Sequence, residues 1–247
     1  LINDVIIKKS IFGKKIPDIS MRTFIITILF LIFGNLTFPI GGGYPPRENW
    51  YSGIFDSACV HLYEEMNLSE LMQFDAFKAA FTGYKKLNNN NSSILTVIDF
   101  SLPSTEKRMY VLDLAREEVL YISYVAHGRN SGDNYATSFS NRNGSHKSSL
   151  GFYRTGGTYQ GSNGYSLLLD GLEKGINDEA RSRAIVIHGA DYCSEQVIRS
   201  AGRLGRSYGC PALPKDLAKP IIDTIKGGSL LFIYSNRTDY PAMSEVV

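Results

Sequence analysis

The hydrophobic positions of this chain change period twice. From Phe24 to Phe33 the run FIITILFLIF carries no charge, and no charged residue follows Arg22 until Arg47. Such a run leaves no polar face for an amphipathic surface helix. GGGYPPRENWYSG (41–53) reads as a linker. Beyond it, Phe55, Ala58, Cys59, Leu62, Tyr63 and Met66 recur at the helical period and predict a helix. Ser69 is the expected cap of a second helix, with Leu71, Phe74, Phe77, Phe81 and Tyr84 as its apolar stripe. The polar run NNNNSS (88–93) ends the helical part.

From Ile94 onwards the pattern shifts to short, β-rich runs. ILTVIDF (94–100), RMYVLDL (108–114) and EVLYISYVA (118–126) follow at hairpin-like spacing, the last two joined at Ala115–Glu117. Further strands are expected at 149–153, 165–171, 184–189 and 229–235. Helical patterns intervene at 194–201 and 214–226, the second stopped by Gly227 and Gly228. Strands rarely alternate with helices, which argues against a doubly wound parallel sheet. The expected class is α+β, mainly β: a mixed or antiparallel β-sandwich with an N-terminal helical segment. The expected division is an extension and leader at 1–43, a linker and helical segment at 44–93, a catalytic domain at 94–236 and a C-terminal tail at 237–247.

Composition narrows the function classes. With 247 residues, 43% apolar and 20% charged, the chain is an ordinary globular sequence, not a disordered or coiled-coil one. Its net charge of +2 speaks against a nucleic-acid binder, which needs a basic face. Residues 1–40 hold five of the basic groups and only two acidic ones, so the remainder is close to neutral. A basic start, a short apolar core and small residues at Gly41–Gly43 describe a secretory signal, with Met21 a plausible start. Extended to Ile40, the apolar segment reaches the lower limit for a bilayer span, so an N-terminal membrane anchor is the alternative. The expected location is the bacterial cell envelope, either released into the periplasm or anchored.

Four His (61, 127, 146, 188) and three Cys (59, 193, 210) carry the candidate chemistry. His188 ends the apolar run AIVI and precedes Gly189, while Cys210 lies in the turn-rich stretch RLGRSYGCPALP. A strand-end base and a loop thiol, each flanked by glycine, suit nucleophilic catalysis, because an unassisted thiol is only a few per cent thiolate at neutral pH. Backbone N–H groups around Ser207–Cys210 are candidates for holding an oxyanion. A zinc site from His188, Cys193 and Cys210 lacks a fourth ligand, so no metal is expected. An oxidising compartment would allow a Cys59–Cys193 disulfide and leave Cys210 free, although three separate thiols are the default reading.

The local wording carries a resemblance. His188–Gly189, followed 22 positions after the histidine by Ser207–Tyr208–Gly209–Cys210, resembles the signature of YkuD-type L,D-transpeptidases. VAHGRNSG (125–132), SHKSSLGFY (145–153), RAIVIHGADY (183–192) and GRLGRSYGCPALP (202–214) resemble the murein L,D-transpeptidase catalytic-domain branch, over about residues 55–235. The resemblance implies Cys210 as nucleophile, His188 as general base and later acid, and Gly209 with its neighbours as the oxyanion loop. Ser207, Tyr208, Arg206, Arg203, Gly189, His127 and Ser148 are the implied substrate-binding set. It further implies peptidoglycan stem peptides as substrate, no cofactor, and carbapenem-type compounds as inhibitors.

Two positions depart from the general signature. Tyr208 stands where that family often has His, and Pro211–Ala212 follow the cysteine where it often has an apolar residue and Arg or Asn. Arg203 and Arg206 are the nearest substitutes for the missing polar group. His127 is expected at a strand end or cleft edge, and His146 on a polar loop. His61 is expected inside the first helix, and Asp191 and Tyr192 beside the imidazole. Cysteine acyl transfer forming 3–3 cross-links leads; an L,D-carboxypeptidase, with water as acceptor, and a non-catalytic wall-binding protein are the alternatives.

Overall fold

The computed structural model describes residues 57–87 and 92–247. The apolar leader and the Gly/Pro-rich linker lie outside the described residues. Among those residues no helix is long and apolar enough to cross a membrane.

Eight strands form one continuous mixed sheet: β1 (Ile94–Asp99), β2 (Met109–Asp113), β3 (Glu118–Ser123), β4 (Gly151–Gly161), β5 (Gly164–Gly171), β6 (Val186–Gly189), β7 (Ala212–Leu213) and β8 (Leu230–Tyr234). Their order is β3-β2-β1-β8-β4-β5-β6-β7. Most neighbours are antiparallel, as the sequence predicts, and β1–β8 and β6–β7 are parallel. The two ends of this sheet come together. Ala126, three residues past β3, bridges to Ala212 in β7, and Gly128 bridges to Ser207. This near-closure into a barrel sets the loop after β3 against the loop before β7.

Helices pack onto the sheet: α1 (Ser57–Glu65), a 3-10 turn (Leu68–Glu70), α2 (Phe74–Lys86), α3 (Glu195–Ala201), α4 (Lys215–Ile225) and α5 (Asp239–Met243). Helix α4 buries Ala218, Ile221, Ile222 and Ile225, the i, i+3, i+4, i+7 stripe of a helix with one core face. Helix α3 starts at Ser194, whose hydroxyl accepts the Val197 N–H. The second predicted helix begins later than Ser69. Buried Leu68 draws that stretch into a 3-10 turn, and α2 starts after Gln73 without a side-chain cap. Phe77 and Phe81 are buried as expected, joined by Ala76 and Ala80.

Buried residues of helices α1 and α2 lie in one hydrophobic cluster with those of the strands. The last residues belong to it too. Tyr240 in α5 donates to the buried Glu173 carboxylate at 2.9 Å, and Ser244 donates to its other oxygen at 2.5 Å. An aliphatic and aromatic core of this size supplies most of the driving force, at roughly 25 cal/mol per Å² of apolar surface buried.

Candidate active site

Cys210 and His188 come from opposite sides of a short parallel pairing. β7 starts two residues after Cys210 and pairs Ala212 with His188 of β6. Both side chains line a single cleft of about 660 Å³, together with Arg129, Asn163, Arg183, Ala184, Ile185, Tyr192, Arg203, Arg206, Ser207 and Tyr208.

Cys210 is almost covered, 9% of the residue exposed. Its Sγ accepts the Val186 N–H at 3.5 Å and donates to the Ala184 carbonyl at 3.7 Å. Ala184 is a non-glycine residue at φ 53°, so the chain turns through the left-handed region to present that carbonyl. Burial pushes the thiol pKa up, while the Val186 N–H, the Arg183 cation and the Cys210 N–H favour the thiolate. His188 Nδ1 lies 3.0 Å from the Gly189 carbonyl. A carbonyl only accepts, so Nδ1 carries the proton and the Nε2 lone pair is left for other work. Burial lowers the His188 pKa. At neutral pH the two groups are therefore a neutral thiol and a neutral imidazole.

The loop that carries Cys210 is held from several directions. Ser207 Oγ accepts the Gly209 N–H at 3.0 Å and donates to the Cys210 carbonyl at 2.6 Å. Ser148, fully buried, donates from Oγ to the Gly209 carbonyl at 3.0 Å and accepts the Gly128 N–H at 3.1 Å. Gly209 has φ 125°, and a Cβ there would meet the Lys147 carbonyl at 2.8 Å. A Cβ on Gly128 would meet the His146 carbonyl at 2.6 Å and Gly209 Cα at 3.0 Å. These two glycines let three stretches of backbone pack side by side.

Arg183 is the site residue that sequence reading passed over. It donates to the Ser140 carbonyl at 2.9 Å and the Ser149 hydroxyl at 2.7 Å, and to the Lys147 carbonyl at 2.7 Å. It also reaches the Ser145 hydroxyl at 3.3 Å. All four partners are neutral, and its Nη2 lies 3.4 Å from where a Gly209 Cβ would be. A fixed positive charge thus underlies the Gly209–Cys210 peptide. Its place at the head of the RAIVIHG run was the available signal.

Several expected contacts fall elsewhere. His127 does not line the cleft; it is fully buried behind it. Its Nδ1 is 2.8 Å from Arg108 Nη2, and because the guanidinium can only donate, Nδ1 accepts. Burial and the Arg108 charge pull its pKa down to about 4. Its buried Nε2 makes no hydrogen bond among the described residues. Ser148 is likewise beneath the cleft rather than in it, because its hydroxyl is spent on backbone. Gly189 packs on α4, where a Cβ would meet that of Ala218 at 3.0 Å. The Gly209 N–H, the expected oxyanion donor, is already occupied by Ser207. Arg203 and Arg206 line the cleft but both pair with Asp133, at 2.7 and 3.3 Å. Tyr208 is 65% exposed at the rim, its ring 4.5 Å from that of His146. Tyr192 lines the cleft, whereas Asp191 pairs with Lys215 at 2.6 Å on the surface. His61 lies in α1 on the exposed side, 4.0 Å from Glu117.

Cys193 is a free thiol in a small separate cluster, so the Cys59–Cys193 bridge is not formed. Burial raises the Cys193 pKa to about 12, which makes it inert. Among the described residues no set of three or more His, Cys, Asp or Glu gathers as a metal site would require.

A thiol and an imidazole opening into one cleft, at the seam of a near-closed mixed sheet, define a cysteine–histidine domain. The family model described as the L,D-transpeptidase catalytic domain matches residues 68–234, more than half of the chain. The chain belongs to this family, whose members are acyltransferases. No curated protein matches it. Among solved structures it is similar to the LD transpeptidase LdtMt1 in complex with imipenem, at 15% identity and a TM-score of 0.35. That match covers 57% of this chain and 59% of the other. An L,D-transpeptidase from Mycobacterium smegmatis matches at 15% identity and 0.36, covering 58% and 59%. One from Stackebrandtia nassauensis matches at 10% and 0.36, covering 73% and 79%. The chain thus spans less than two thirds of the first two structures.

Proposed function

We propose that this chain is an exported cysteine acyltransferase that forms 3–3 cross-links between peptidoglycan stem peptides. Its acyl donor is a tetrapeptide stem. The Cys210 sulfur attacks the carbonyl of the L-centre of the third residue, a diaminopimelate, and His188 Nε2 takes the thiol proton. The tetrahedral intermediate collapses to a thioester; the C–N bond to the terminal D-residue breaks, and His188 returns the proton to that leaving amine. The amine of a second stem then attacks the thioester, restoring the thiol and forming the new amide. The Cys210 N–H, which already favours a negative sulfur, is the donor offered to the oxyanion in place of the occupied Gly209 N–H.

The observation that carries this reading is the shared opening of Cys210 and His188 into one cleft, with the imidazole held by the Gly189 carbonyl in the tautomer a general base needs. Export rests on the basic groups from Lys8 to Arg22 followed by the apolar run Phe24–Phe33, and on the wall as the place where such stems exist. Domain limits of 1–43, 44–93, 94–236 and 237–247 go with it as a reading of the chain's organisation.

Intact mass after brief exposure to a carbapenem tests the chemistry. A single covalent adduct is expected on the wild type and none on Cys210→Ala. An adduct on the variant, or none on the wild type, overturns the assignment. Incubation with tetrapeptide muropeptides then separates acceptors: a cross-linked dimer is expected, and tripeptide alone would mean that water is the acceptor.

A further inference from the structure

The cleft is strongly and unevenly cationic. Four arginines line it (Arg129, Arg183, Arg203 and Arg206) and no carboxylate does. Three of the four are already engaged. Arg183 is held by four neutral oxygens beneath the Cys210 loop. Arg203 and Arg206 share Asp133. Arg129 differs from these. Among the described residues its guanidinium has no ion pair and makes no hydrogen bond; it lies by the Tyr208 ring, 5.7 Å from centroid to Cζ.

A guanidinium near an aromatic face keeps its N–H donors, and its planar fork fits a carboxylate with two parallel bonds. Tyr208 is steadied from another side by His146, itself held at φ 55°. The root of Arg129 is equally fixed: its backbone N–H donates to the Ser207 carbonyl at 2.7 Å, three residues before the nucleophile. An unspent cation is thus placed at the mouth of a cleft walled by like charges, whose field favours an anionic ligand.

We propose that Arg129, beside the Tyr208 ring, is the specificity-determining residue through which the cleft recognises a free carboxylate of the acyl donor. The proposal deepens the functional reading above and rests on it for the identity of the donor. A tetrapeptide stem offers two such groups, one on the diaminopimelate side chain and one at the C-terminus. They present the same chemistry to the fork.

The test uses equilibrium binding to the full chain carrying Cys210→Ala, so that recognition is read without turnover. Three synthetic tetrapeptides are compared: the diacid, the side-chain carboxamide and the C-terminal carboxamide. One carboxamide is expected to bind about 10- to 100-fold more weakly than the diacid, the range set by a charged hydrogen-bonded pair. The identity of that carboxamide names the group read. Adding Arg129→Gln should remove the preference by weakening the diacid alone, and Arg129→Lys should restore part of it. Equal binding of all three peptides, or a preference that survives Arg129→Gln, overturns the proposal. Discrimination without any acylation of the wild-type cysteine would uphold recognition while the enzymatic reading fell; acylation with no discrimination would do the reverse.

Discussion

Ser148 Oγ donates to the Gly209 carbonyl at 3.0 Å, joining residues 61 positions apart. That hydroxyl also accepts the Gly128 N–H, so one buried atom ties the loop after β3 to the loop that carries Cys210. Removing it with Ser148→Ala leaves a buried carbonyl and a buried N–H unpaired, which costs about 1–3 kcal/mol. Denaturant unfolding should show this loss, and carbapenem acylation should slow although the thiol and imidazole remain. A variant with unchanged midpoint and unchanged acylation would show that the loop is held by its other bonds.

Arg183 should act on the reactivity of Cys210. Burial raises the thiol pKa, and the arginine charge opposes that rise. Without the charge the thiol is pushed further up, so the pH profile for iodoacetamide alkylation of Cys210 should move to higher pH in Arg183→Gln and less so in Arg183→Lys. A profile that does not move in Arg183→Gln would reduce this residue to an anchor of the 140–149 loop.

His188→Ala should slow acylation near neutral pH by about 100-fold or more, the usual worth of a positioned base. Partial recovery above the thiol pKa is expected, since hydroxide then makes the thiolate. The native imidazole is pulled below its ordinary range by burial, so wild-type acylation should hold on the acid side longer than a solvent-exposed histidine would allow. Loss of rate already at pH 6.5 would contradict this.

His127 should make stability depend on pH. It is neutral in both states above its ordinary value of 6.5, and its contribution is intact there. Below 6.5 the unfolded chain binds a proton that the native state refuses until about pH 4. Stability therefore falls across that window, by about 3 kcal/mol from this one group. Comparing denaturant midpoints at pH 7 and pH 4 for wild type and His127→Gln isolates the share, because carboxylates titrate alike in both. Equal acid sensitivity would place the effect elsewhere.

Much of this architecture follows from local pattern. The short β-rich runs locate seven of the eight strands to within a few residues, except that β4 continues to Gly161 to build a hairpin with β5. The β-rich pattern does not reach there, because from Gly156 to Gly161 β4 is exposed or half-buried and carries few apolar residues. β7 is two residues long, too short for any periodicity, and α5 has no helical stripe of its own.

The sequence by itself determined the mainly antiparallel α+β class, the thiol and the histidine, because hydrophobic period, glycine placement and motif spacing are local properties of a chain. Tertiary structure decided which arginines are spent and which is not, that His127 and Ser148 support the site from below, and that Arg183 stands under the nucleophile. Those facts depend on the two ends of the sheet meeting at Ala126 and Ala212. Contacts between residues 60 to 90 positions apart arise from closure of the sheet, and burial, charge pairing and tautomer are set only once it has closed.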